Sequence, residues 1–85
     1  MIHFTKHAQN KFKVLARHRV FISEAQVRHA VESPELIDHS RSPLLIAQSQ
    51  IDTEHVLRVV YKQEGDTMKI ITFYPGRAKE YGNTR

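Results

Sequence analysis

The segment from Lys69 to Tyr81, Lys-Ile-Ile-Thr-Phe-Tyr-Pro-Gly-Arg-Ala-Lys-Glu-Tyr, concentrates the groups best suited to a phosphate ester. Its apolar run should form a strand that delivers Tyr74, Arg77, Lys79 and Tyr81 to one end of a sheet. Cleaving RNA without a metal needs little more than such groups and a proton acceptor. The ribose 2'-hydroxyl is its own nucleophile, so the protein must deprotonate it, stabilise the phosphorane and protonate the leaving 5'-oxygen. Arg77 suits the phosphate because a guanidinium is permanently charged and bidentate. Tyr74 and Tyr81 can stack on a base or donate a proton. The plainer alternative is that Tyr74 ends a core strand and Arg77 is an ordinary solvated residue. His7 is the candidate base, since histidine exchanges protons near neutral pH. The neighbouring Lys6, and Lys11 one turn on, would hold substrate phosphate, although a histidine so placed can equally be a packing or capping residue.

Other chemistries find no purchase. The chain has no glycine-rich phosphate loop, no nucleophile elbow and no paired carboxylates at a suggestive spacing. Six histidines make metal binding worth weighing, but none falls in a His-Glu-x-x-His or comparable cluster, and no cofactor or metal is expected. The absence of cysteine removes disulfides and thiolate sites and fits the reducing cytoplasm. No apolar run approaches the roughly 20 residues that span a bilayer, so a cytoplasmic protein without membrane contact is expected.

The 85 residues should form a single domain over 1–85, since two cores could not both close at this length. The margin would be thin, and a partner covering apolar surface would stabilise it. The net charge of +4 is unevenly spread: residues 1–19 carry +5 with no acid, residues 20–66 carry −4, and residues 67–85 carry +3. If the two basic ends met, their fields would add and attract a polyanion such as RNA; lysines kept for solubility are the other explanation.

These groups need elements to position them. Thr5 can cap a helix running to about Arg17, with Ala8, Phe12, Leu15 and Ala16 as its apolar stripe. Ser23 opens a second helix with Gln26 at capping-box spacing, Ile22 and Val27 as a staple, and Ser33-Pro34 as its end. Beyond Pro34 the pattern alternates, predicting strands over Glu35–His39, Leu44–Ile51, His55–Gln63 and Met68–Tyr74, with Ile2-His3-Phe4 as a short edge strand. Glu64-Gly65-Asp66-Thr67 reads as the turn of an antiparallel hairpin, Pro75-Gly76 as the stop of the sheet, and Arg77 to Tyr81 as a basic tail with room for one helical turn. The architecture expected is α+β, two N-terminal helices on one face of a three- to four-stranded antiparallel sheet. An open edge of that sheet would let a second copy pair as a homodimer.

The order of features resembles a known family. His7-Ala8 opens the first helix, Ile22-Ser23 and Val27 open the second, and Pro34 follows. Later, Leu57-Arg58-Val59-Val60-Tyr61 precedes Ile70-Ile71-Thr72-Phe73-Tyr74-Pro75. Over roughly residues 3–81 this is similar to a family of small prokaryotic domains grouped with the RelE/ParE/BrnT plasmid toxins. The resemblance implies a RelE-like fold and the toxin half of a toxin–antitoxin pair, an endoribonuclease of the mRNA interferase type with RNA and a cognate antitoxin as partners. It implies catalytic roles for His7, Arg77 and Tyr81, beside which the residues read above, Lys6, Lys11, Tyr74 and Lys79, are expected to contact substrate. The sheet lacks the dense arginines of strong ribosome-dependent nucleases, and the superfamily also holds gyrase poisons. A non-catalytic module of the same fold that binds nucleic acid or protein is therefore the alternative.

Overall fold

The computed structural model describes residues 1–81. In chain order it contains β1 (Ile2–Phe4), α1 (Lys6–Arg17), α2 (Glu24–Glu32), β2 (Leu36–Asp38), β3 (Leu45–Gln50), β4 (His55–Glu64) and β5 (Thr67–Arg77). The protein is α+β, as expected. The sheet, however, has five strands in the order β1-β5-β4-β3-β2 and is mixed, because β1 runs parallel to β5 while the other neighbours are antiparallel. A wholly antiparallel sheet of three or four strands is therefore corrected. Ile2-His3-Phe4 pairs with Met68, Lys69 and Ile70 after the chain has made its whole circuit, a long-range pairing with no local signal.

Both helices start where side-chain acceptors are available. Thr5 Oγ1 accepts from the Ala8 N–H at 3.2 Å, and Ser23 and Gln26 form the reciprocal capping box. The end of α1 is a Schellman turn: Val20 N–H reaches the Leu15 carbonyl and Arg19 N–H the Ala16 carbonyl, each at 2.9 Å. The turn forces Arg19 to a φ of 61°, a left-handed conformation that an L side chain resists and glycine tolerates.

One core joins the two helices to one face of the sheet: Ala8 from α1, Val27, Ala30 and Val31 from α2, and Ala47, Leu57, Val59, Tyr61, Ile70 and Phe73 from the strands. Phe12 lies against Phe73 with ring centres 4.6 Å apart. In a regular strand Ile70 and Phe73, three residues apart, would face opposite ways. They both face the core because β5 carries a bulge. Tyr61 pairs with Ile70 but Val60 pairs with Thr72, which leaves Ile71 as the extra residue. Thr5 fastens this point, its hydroxyl reaching the carbonyls of Ile70 at 2.9 Å and Ile71 at 3.3 Å.

Past the bulge β5 continues through Pro75-Gly76 to Arg77, so that dipeptide does not stop the sheet. Pro75 is tolerated because its partner Leu57 lies on one side only and no strand covers the other flank there, β1 having ended opposite Ile70. Residues 78–81 then turn back on themselves, with Glu80 and Tyr81 donating to the Arg77 carbonyl at 3.0 and 3.3 Å. Among the described residues no helix is long and apolar enough to cross a membrane. Replacing Arg19 by glycine should relieve the left-handed strain and stabilise the fold by about 0.5–1 kcal/mol, read as a higher urea midpoint at unchanged slope.

Candidate functional site: a cleft at the end of the central hairpin

The chain between β3 and β4 is shaped by one carboxylate. Asp52 Oδ1 accepts the backbone N–H groups of Glu54 and His55, both at 2.8 Å, and the Nδ1 of the His55 ring at 2.9 Å. The Glu54 amide, then the His55 ring, hold the Asp52 carboxyl below its ordinary value. An ionised carboxylate only accepts hydrogen bonds, so Nδ1 is the ring nitrogen that donates to Asp52, and Nε2 is the one that does not. His55 begins β4 and pairs directly with Arg77 at the end of β5. Directly opposed residues share a face with Cβ atoms about 5 Å apart, so imidazole and guanidinium project side by side. The Ala78 amide donates to the Glu54 carbonyl at 2.8 Å, which carries the ladder one step further and brings Lys79 in. Together Thr53, Glu54, His55, Arg77, Ala78 and Lys79 line a cleft of about 510 Å³. An imidazole beside two cations is an arrangement that can bind a phosphate and, in its neutral form, take a proton from a group next to it.

Behind this cleft, on the sheet face away from the helices, lies a buried guanidinium. Arg58 is 5% exposed. Its Nε donates to the Tyr74 hydroxyl at 3.1 Å and its Nη2 to Asp38 Oδ2 at 2.8 Å, while Nη1 donates to the Gln48 amide oxygen. Tyr81 closes the top, its ring centre 4.3 Å from the guanidinium carbon. The fully buried Gln48 amide donates in turn to the Tyr81 carbonyl at 3.5 Å. Burial works against the Arg58 charge, but the bonds to Tyr74 and Asp38 outweigh it and hold the guanidinium above its ordinary value. Asp38 is held far below the usual carboxylate range, first by hydrogen bonds from Ser40 and then by Arg58. Gly76 is what lets Tyr81 lie this low, because a Cβ there would overlap the Tyr81 ring.

The residues singled out from the sequence are therefore divided among three places. Arg77 and Lys79 meet in the cleft. Tyr74 and Tyr81 pack on Arg58 on the helix-free face, which places them behind the cleft as supports. Lys6, His7 and Lys11 lie on α1, with Lys6 and His7 exposed and Lys11 half-buried. Thr5 anchors the start of α1 at Ile70 and Ile71, and six further residues of strand, roughly 20 Å, separate that point from Arg77. The single hollow in which His7, Arg77 and the tyrosines converge is not formed. Sequence reasoning missed His55, read only as part of an alternating strand. The signal was Asp52 three residues earlier, an Asx-turn acceptor within reach of the ring. It also missed Arg58, whose place in an alternating strand gave no hint that the second face is covered. Among the described residues no group of three or more His, Cys, Asp or Glu side chains gathers as a metal site. No family model, curated protein or solved structure matches this chain.

Because Asp52 is depressed in the folded protein, its contribution to stability is complete above its unfolded value of about 3.9 and is lost as pH falls through the lower folded value. Arg58→Met removes the cation but leaves Asp38 and Gln48 behind. It should cost about 2–3 kcal/mol, below the cost of breaking a fully buried pair because Asp38 retains water, as measured by urea unfolding. Gly76→Ala should cost under about 1 kcal/mol, since the Tyr81 ring can swing aside, and should shift the Tyr81 ring resonances in NMR spectra.

Proposed function

We propose that this domain is the RNA-cleaving toxin half of a toxin–antitoxin pair, of RelE-like type, and that it cuts at the cleft between His55 and Arg77. The observation that carries the reading is the Asp52-oriented imidazole paired across the hairpin with a guanidinium. His55 Nε2 takes the proton of a ribose 2'-hydroxyl. The 2'-oxygen bonds to phosphorus as the bond from phosphorus to the 5'-oxygen breaks. Arg77 balances the charge gathered on the phosphorane, and the Lys79 ammonium gives the leaving 5'-oxygen its proton. The products are a 2',3'-cyclic phosphate and a 5'-hydroxyl. The resemblance in sequence supports the RelE-like assignment, with the α+β class and helix pair as its coarse structural counterpart. RNA and a cognate antitoxin are the partners it implies.

Incubating purified protein with end-labelled RNA tests this. His55→Ala and Arg77→Ala should each lower cleavage by about 10²–10⁴-fold, and Asp52→Asn by a smaller factor through loss of ring orientation. The folded state should survive all three, as circular dichroism would show. His7→Ala is the informative control: if it abolishes cleavage while His55→Ala does not, the base has been assigned to the wrong end of the molecule. RNA that is bound in a salt-dependent way and never cut would instead favour the non-catalytic module.

A further inference from the structure

The outward side of α1 has no role in the core or in the cleft. Residues 6, 10, 13 and 17 recur at intervals of four, three and four, which on a helix is one straight ridge. They are Lys6, Asn10, Lys13 and Arg17, all exposed. At 100° per residue this ridge lies about opposite Ala8, Phe12 and Leu15, which face the core. It is about 16 Å long at 1.5 Å rise per residue. No acidic residue occurs before Glu24 in the sequence. None of the ion pairs among the described residues, Arg28 with Glu24, His55 with Asp52, Arg58 with Asp38 and Lys62 with Glu64, involves a ridge cation.

We infer that this ridge is a docking surface for the phosphate backbone of double-helical RNA, an inference that rests on the proposed RNA-cleaving function and gives it a second contact surface. Three cations spaced along a rigid helix match phosphates that are themselves held in a rigid array, whereas a flexible single strand would first have to be ordered. The ridge has no apolar side chain to anchor a protein partner, which distinguishes phosphate docking from capture of an acidic helix. The division also follows the chemistry. In-line attack by a 2'-hydroxyl needs an unpaired, flexible linkage at His55, and the ridge holds the paired part of the same folded RNA.

The test is binding of a fluorescent 16-base-pair RNA duplex by anisotropy across a salt series, using the full chain. The variant K6Q/K13Q/R17Q should weaken binding at least about tenfold in 0.1 M salt and flatten the log–log salt slope by about 2–3, as expected for three lost phosphate contacts. R41Q, which removes an exposed cation outside both the ridge and the cleft, should leave duplex binding within twofold of wild type. An unchanged slope in the triple variant, or no duplex binding by wild type, overturns the inference. So does poly-L-glutamate displacing the duplex at equal charge concentration, which would make the surface one for an acidic protein. Cleavage of single-stranded RNA is followed in parallel. Duplex binding that depends on the ridge in a protein that cuts nothing sinks the catalytic reading alone, and cutting without ridge-dependent binding sinks this inference alone.

Discussion

The bulge at Ile71 is the feature on which the rest of the structure depends. Before it, the register of the β4–β5 hairpin follows from the turn at Gly65, whose φ of 60° suits the tight reversal. After it, every residue of β5 is advanced by one position. Three consequences follow together. Ile70 and Phe73 can both enter the core, Arg58 comes to lie opposite Tyr74, and His55 comes to lie opposite Arg77. Carried straight from the turn, the same register would pair His55 with Gly76 and turn Arg77 to the other face. The extra residue is fastened by Thr5, which also caps α1, so the start of the first helix and the geometry of the distant cleft share one hydrogen-bonding hydroxyl.

Arg58 makes the second face of the sheet into part of the interior. Val56, Ile46 and Gln48 are buried beside it on a side that carries no helix. A buried guanidinium survives there because all three of its nitrogens find acceptors and an aromatic ring covers it. The contact with Tyr81 draws the 78–81 turn against the sheet, and the same turn carries Lys79. A few residues thus depend on one another: Gly76 gives room to the tyrosine, the tyrosine covers the arginine, and the turn between them carries Lys79 to the cleft.

The charge pattern of the chain becomes spatial in an unexpected way. The two basic ends do not fuse into one cationic hollow. Lys6, Lys13 and Arg17 form the outer ridge of α1, and Arg77 and Lys79 flank His55 at the end of the hairpin. Acidic residues of the middle serve local purposes, Asp52 orienting His55, Asp38 neutralising Arg58 and Glu24 pairing with Arg28 on α2.

What the sequence by itself determined is whatever rests on contacts between near neighbours. Thr5 and Ser23 with Gln26 mark the helix starts, the stripe of Ala8, Phe12 and Leu15 fixes which side of α1 is inward, and Gly65-Asp66 makes the last two strands a hairpin. Each depends on groups within a few residues of one another, so local periodicity and capping chemistry suffice. Only the tertiary structure decided the parallel pairing of β1 with β5, the bulge, the burial of Arg58 and the choice of His55 over His7 as neighbour of Arg77. The physical reason is common to all four. A strand's pattern says which residues alternate, but a single inserted residue inverts every face beyond it. Whether that residue is inserted is settled by packing and by a hydroxyl more than sixty positions away in the chain.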